Sequence, residues 1–278
     1  MATALSKTLL LCLFFALVYM CSSLLTSQDA SASKQRLVKQ KNKAKQNKTK
    51  TRQNRLAVAS VNKLKRGDTL VLDLDNTLFD TRPRKLKALK EFSKLHKEDL
   101  PSDVFEQIKN ASLSDVRYDA KENVRKFRIP KGQEKEFRRI WNNIFWSPDS
   151  LRYDKPMNLT IGLVKAAEKR GVTIKYLSGR YASFYNVSVL QIRQALLPLR
   201  HKDNLMLRPK ESDTAEFKAN ALIKESGKGK VILLDDSPST VSKVYELRRF
   251  GIEPIHVVTK DQEPLELKLP QVKSLHVD

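Results

Sequence analysis

Four short stretches place acidic, hydroxyl or basic side chains in or beside apolar runs: Asp73-x-Asp75-x-Thr77 in "VLDLDNTLFD", Ser178-Gly179-Arg180 in "YLSGR", Lys218 in "DTAEFKANAL", and Asp235-Asp236 in "VILLDDSPST". Carboxylates at the ends of buried strands are hard to keep ionised, because burial disfavours the charged form. A divalent cation among them removes that difficulty. Mg²⁺ suits such a set, since it takes a few carboxylate oxygens, a carbonyl and water, and leaves room for a phosphate. Asp73, the backbone carbonyl of Asp75 and the Asp235/Asp236 pair can supply the protein ligands. One strand-end Asp is a common structural accident, whereas four elements at corresponding positions are a specific signal.

The elements that must position these residues alternate. Residues 69–73, 173–177, 204–207, 231–234 and 255–258 read as short buried strands. Helical patterns lie between the later ones, over 159–170, 182–199, 214–226 and 239–250, with Gly171 and Gly227 after two of them and Pro238 beside the start of another. This succession predicts an α/β three-layer sandwich: a parallel sheet covered by helices on both faces, with right-handed crossovers. Such sheets bind ligands at the carboxyl ends of their strands. From Asp80 to Met157 the rhythm changes, and Leu86, Leu89, Phe92 and Leu95, then Phe105 with Ile108, then Phe137, Ile140, Trp141 and Ile144 recur at helical spacing. The spacing predicts a helical cap over 81–157 inserted in a core of 67–80 and 158–278.

Both cysteines, Cys12 and Cys21, precede this body, which excludes a disulfide framework, a thiol nucleophile and a cysteine metal site within it. The four histidines lack metal-ligand spacing.

In its four motifs and their order the chain resembles the haloacid dehalogenase superfamily, whose members are Rossmann-like. The likeness covers roughly 69–259, with residues 81–157 in the slot of that family's helical C1-type cap. It is closer to the phosphatase members, given "LRPKESDTAEFK" before the last motif. The resemblance implies a Mg²⁺-dependent phosphatase that hydrolyses a phosphomonoester through an aspartyl-phosphate. It implies Asp73 as nucleophile and Asp75 as general acid, then base. Ser178 is implied as donor to a phosphate oxygen, Gly179 as the point of close backbone approach, and Lys218 as the charge that stabilises the transition state. Thr77 and Arg180 are implied at the phosphate, and Asp73, Asp75, Asp235 and Asp236 at the metal. An acid two residues after the nucleophile marks phosphatases and mutases in that family and argues against dehalogenation.

Several choices stay open. Lys210 is an alternative to Lys218, either of Asp235 and Asp236 can be the direct metal ligand, and Arg180 suits substrate or local structure equally. Phe79, Arg82 and Arg84 follow the acidic loop. Trp141, Phe145 and Trp146 beside Arg138 and Arg139 suit clamping a nucleotide or nucleic-acid end, while Trp141 and Phe145 equally suit the core of a cap helix.

Charge is concentrated outside the body. Residues 34–66 hold thirteen Lys or Arg and no acid, more than half of the formal +22. That composition predicts a disordered basic tether over 33–66, suited to anionic lipid or nucleic acid. Residues 1–32 read as a signal peptide ending near Ala30-Ser-Ala32 or as a retained anchor, hence an exported (periplasmic or secreted) or membrane-tethered protein. The body keeps 39 basic against 30 acidic residues, which favours an anionic substrate. Three functions follow: a phosphatase acting on a small phosphorylated substrate with no obligate protein partner, a polynucleotide or nucleotide end-phosphatase, and a non-catalytic envelope or polyanion-binding protein that works through the tether.

Overall fold

The computed structural model describes residues 38–42, 44–262, 269 and 271–277, and the chain divides into two compact units, 1–52 and 53–278. In the first unit the described residues 38–42 and 44–52 are helical and exposed. The signal or anchor expected over 1–32 lies outside the described residues. No helix among the described residues is long and apolar enough to cross a membrane.

The second unit opens with a helix over 53–62 (α1). Ala57, Val61 and Leu64 are buried in the main core, and the Arg170 guanidinium donates to the carbonyls of Val61 and Leu64 at 3.0 and 3.2 Å. The disordered tether expected over 33–66 is therefore corrected for its described residues: 38–42 and 44–62 are helical, and its end belongs to the body. Apolar residues at helical spacing in "LAVASVNKL" carry this signal. Averaging over the charge run before them hides it.

Six strands form one sheet: β1 (Thr69–Leu72), β4 (Thr173–Tyr181), β5 (Leu205–Arg208), β6 (Val231–Asp235), β7 (Ile252–Val258) and β8 (Lys273–His276), in the order β5-β4-β1-β6-β7-β8. All neighbours are parallel, so the Rossmann-like α/β sandwich is the observed fold. Parallel strands covered on both faces read as continuous apolar runs, and β1 ("TLVL") is buried at every position. Leu70, Leu72, Tyr176 and Leu234 face α6 (Asn158–Lys169) and Ile192 of α7 (Tyr185–Gln194). Val71, Leu177 and Leu233 face Leu222 of α8 (Thr214–Glu225) and Val244 of α9 (Pro238–Tyr245). The helix expected over 182–199 is shorter than its pattern, because Leu196 turns left-handed at φ 54 and Pro198 follows. The sequence pattern did not signal β8. The exposed backbone of this edge strand is met by α1, whose Asn54 side chain accepts from the His276 amide at 2.7 Å and donates to the His276 carbonyl at 3.0 Å.

Between the first two long strands a two-stranded antiparallel ribbon, β2 (Phe79–Asp80) with β3 (Lys155–Pro156), marks where a helical insertion leaves and rejoins the core. The insertion comprises α2 (Arg82–Leu95), α3 (Ser102–Lys109), α4 (Ala120–Phe127) and α5 (Glu134–Phe145). These helices share their own core, including Leu89, Phe92, Phe127 and Phe137. Leu95, expected on the apolar face, is 59% exposed. The apolar pattern did not signal α4, but its ends are visible: Asp119 caps it by accepting from the Glu122 amide at 2.8 Å, and Glu122 reaches back to the Tyr118 amide at 3.1 Å.

Candidate active site

The site forms where β1 stops between β4 and β6, the crevice at which connections diverge to opposite sides of the sheet. The Asp73 amide donates to the Leu234 carbonyl at 2.9 Å, which holds the first acid against β6. Three residues on, Asn76 takes a left-handed φ of 55, a conformation asparagine tolerates better than most residues. Its side-chain amide donates to Asp236 Oδ2 at 2.9 Å, and its Oδ1 accepts from the Thr81 hydroxyl and from Lys85 Nζ at 3.4 Å. Lys85 is itself buried against Asp261 at 2.6 Å. The loop after β1 is thereby fixed to the loop after β6.

Lys218, on α8, places its Nζ 2.7 Å from Asp73 Oδ1 and 2.6 Å from Asp235 Oδ2. All three groups are buried. Burial opposes the ammonium charge, but Asp235 and Asp73 outweigh it and hold Lys218 above the usual lysine range. Lys210 is exposed, which decides between the two candidate lysines.

One ammonium does not balance this cluster. Burial pushes Asp73 up to about 7, with Asp235 and Asp75 adding to the rise against the pull of Lys218. Asp236 is also raised well above the usual carboxylate range, by burial and then by Asp73 and Asp235. Its hydrogen-bond partners are the neutral donors Asn76 and Tyr118. Asp235 has both oxygens committed, Oδ2 to Lys218 and Oδ1 to the Ser237 amide at 2.9 Å. Among the described residues no three acidic or histidine groups already form a metal cluster, and the Lys218 ammonium sits between Asp73 and Asp235. The surplus of buried negative charge is nevertheless what a divalent cation would neutralise. Hard oxygen donors are the right chemistry for Mg²⁺, so the residues present fit the ion.

Asp75 does not point into this cluster alone. Arg180 Nε and a terminal guanidinium nitrogen lie 3.1 and 2.7 Å from its two oxygens, and Arg84 donates to it from α2. Burial acts to raise the Asp75 carboxyl, but Arg180 and Arg84 override it and hold it well below the usual carboxylate range. A second acid, Asp154, completes the network. It makes an ion pair with Arg84 Nε at 2.9 Å, off the hydrogen-bonding direction, and lies 3.7 Å from Arg180. The two arginines and Asp154 are fully buried.

Two residues expected at the phosphate do not line the pocket. The Arg180 guanidinium is engaged by Asp75, Asp154 and Ser188. Thr77 is fully buried away from the pocket, its carbonyl accepting from the Thr160 hydroxyl at 2.7 Å.

A pocket of about 290 Å³ opens over the acids, lined on the core side by Asp73, Asp75, Ser178, Gly179, Lys218 and Asp236. At Gly179 a Cβ would stand 3.0 Å from the Thr214 methyl at the start of α8, so glycine is what lets β4 pack against the helix that carries Lys218. The β4–β5 register slips between Ser178 and Tyr181, a bulge that frees the Ser178-Gly179 backbone at the strand end. The cap supplies the opposite wall with Tyr118, Trp141, Phe145 and Trp146. Trp141 is 5% exposed in the cap core and also stands at the pocket edge. Arg138 and Arg139 instead form exposed pairs with Glu134 and Glu136.

The sequence reading overlooked Asn76, Lys85, Tyr118, Asp154 and Arg208. Tyr118 and Asp154 lie at ends of cap segments, and only the fold brings them to the acids.

No protein-family model matches the sequence, and no curated protein matches it. Solved structures do. A candidate phosphatase from Clostridium difficile superposes with a TM-score of 0.50 at 14% identity, covering 77% of this chain and 95% of the other. A candidate phosphatase from Clostridium acetobutylicum gives 0.49 at 14% identity, over 76% and 94%. A haloacid dehalogenase-like hydrolase from Streptococcus pneumoniae gives 0.48 at 15% identity, over 75% and 92%. At such identities the likeness is one of fold, and the chain has the fold of the first of these.

Proposed function

We propose that this chain is a phosphatase of the haloacid dehalogenase type, hydrolysing a phosphomonoester with Asp73 as nucleophile. The observation that carries the reading is the Lys218 ammonium held 2.7 Å from Asp73 and 2.6 Å from Asp235 at the floor of a pocket that also contains Ser178. A buried, cationic contact of this kind orients one carboxylate oxygen and leaves the other to react.

Asp73 attacks phosphorus, the bond to the leaving oxygen breaks, and the phosphoryl group passes to the carboxylate. Water then attacks the same phosphorus, releasing phosphate and restoring Asp73. Ser178 donates to a phosphate oxygen, and Lys218 compensates charge as it develops. Asp73, Asp236 and the Asp75 carbonyl would hold Mg²⁺, while Asp235 serves chiefly to hold Lys218. When bound, the ion would neutralise the acids and the substrate dianion so that anion can meet anion. Asp75, ionised between its arginines, is set to accept a proton from water. Donating one to the leaving oxygen requires Asp75 first to take up a proton from solvent, which both Arg180 and Arg84 oppose as long as they are paired with it.

The full chain is expected to release phosphate from p-nitrophenyl phosphate only with Mg²⁺, and Asp73→Asn to abolish release. Turnover that survives the substitution refutes the nucleophile. For the first unit we propose contact with an anionic surface, because Lys41, Lys45, Lys48 and Arg52 recur at intervals of four, three and four along helical segments.

A further inference from the structure

We propose that the substrate carries a planar aromatic group, received by a subsite built around Trp146; the inference rests on the phosphatase reading and names its substrate class. The pocket has two chemically distinct ends. Its core side holds the acids, Lys218 and Ser178, the equipment for a phosphate. Its cap side is a wall of rings.

The wall is the end of a continuous aromatic series. Phe137 leans on Trp141 at 5.7 Å, Trp141 lies parallel to Phe145 at 6.1 Å and 6°, and Phe145 meets Trp146 edge-on at 4.9 Å. Trp146 in turn touches Tyr181 at 5.9 Å and Phe184 at 6.5 Å, both from the core. Phe145 is already engaged, by Trp141 and by the Arg84 guanidinium 4.1 Å over its ring. Trp146 is half-buried and lines the pocket, with Phe145 and Phe184 edge-on to its ring and Tyr181 tilted against it, so these rings hold it at the pocket wall where it can meet a ligand.

Hydrogen-bonding groups on that side are few. Arg208 is committed to the carbonyls of Gly179 and Ser212 and lies 4.6 Å over Tyr181. Asp119 uses Oδ1 to cap its helix N-terminus, which leaves Oδ2 as an exposed acceptor at the rim. A polyhydroxylated group with no ring would lose water there and gain no stacking, which costs affinity. A flat ring loses little water and gains stacking. The volume, about 290 Å³, admits a phosphate with one ring system. Two sources share this chemistry: an aryl phosphate, with the ring on the ester oxygen, and a mononucleotide, with the ring beyond a ribose.

The full chain is tested with Mg²⁺ for binding of phenylphosphonate against methylphosphonate, which have no leaving group and so report the subsite apart from the reaction. Phenylphosphonate is expected to bind about tenfold tighter, the scale of one stacked ring, and to change tryptophan fluorescence. Trp146→Ala is expected to reduce that ratio to below about threefold, with Trp146→Phe retaining most of it. Hydrolysis of phenyl phosphate, uridine 5′-monophosphate and glycerol phosphate then separates the sources, by whichever aromatic ester has the higher kcat/KM. Equal affinity for the two phosphonates, or a ratio indifferent to Trp146→Ala, overturns the subsite even if phosphate release depends on Asp73. Loss of the Asp73 dependence overturns the chemistry, while phosphonate binding still decides the subsite.

Discussion

Replacing Lys218 with methionine removes the one ammonium in contact with the acid cluster while keeping the length of its stem. The structure gives the scale. Two charge-assisted hydrogen bonds of 2.7 and 2.6 Å are lost, and Asp73 and Asp235 stay buried with no cation. Breaking a buried ion pair from one side costs about 3–5 kcal/mol, less what the acids recover by taking up a proton. That recovery depends on pH. The Asp73 carboxyl already stands at about 7 against 3.8 when unfolded, so its contribution to stability is largest below 3.8 and is lost as pH rises through 7. Without Lys218 the carboxyl rises further, and the loss extends to higher pH. The variant is therefore expected to be less stable by about 3 kcal/mol at pH 8 and by about half of that at pH 5, where Asp73 is protonated in both proteins. Urea denaturation in EDTA at the two pH values measures this. For a body of this size, 3 kcal/mol corresponds to a fall of roughly 6–12 °C in Tm. A penalty equal at both pH values, or below about 0.5 kcal/mol, refutes the reasoning that Lys218 is the counter-charge of Asp73.

Other outcomes follow from the same structure. Arg180→Met leaves Asp75 and Asp154 sharing Arg84 and is expected to cost about 3 kcal/mol, of which adding Asp154→Leu recovers a substantial part by rebalancing the charges; thermal denaturation of both variants measures it. Glu253, held by Lys230 and Lys273 at 2.6 and 2.5 Å, is depressed to about 2 despite its burial. Its stabilisation is present above about 4.5 and is lost as pH falls through 2, so Glu253→Gln should flatten the Tm profile across that window. Leu64→Ala is expected to cost about 3 kcal/mol in urea denaturation, because Leu64 is 1% exposed in the main core; a solvated tether there would give no change.

Much of this architecture is legible in local sequence. β1 and β6 are apolar runs because both their faces are covered, and the acids stand out because they end those runs. Lys218 was harder to place, since a lysine in a helix usually faces solvent; its burial follows from where α8 crosses the end of β1. The role of Arg180 could not be read, because its partner Asp154 is 26 residues earlier and reaches it only after the insertion folds back through β3. The same holds for Tyr118, which meets Asp236 across the cap. The helix at 53–62 was obscured by its basic neighbours, although the apolar spacing of Ala57, Val61 and Leu64 was present throughout.

The central claim is that Asp73 becomes phosphorylated. Full-length protein mixed with excess aryl phosphate and Mg²⁺, quenched in acid within one turnover and digested, is expected to carry a phosphoryl group on the peptide containing Asp73, and borohydride treatment should convert that residue to homoserine. Phosphoryl transfer to another residue, or phosphate release at full rate with Asp73 unlabelled at every quench time, contradicts the account.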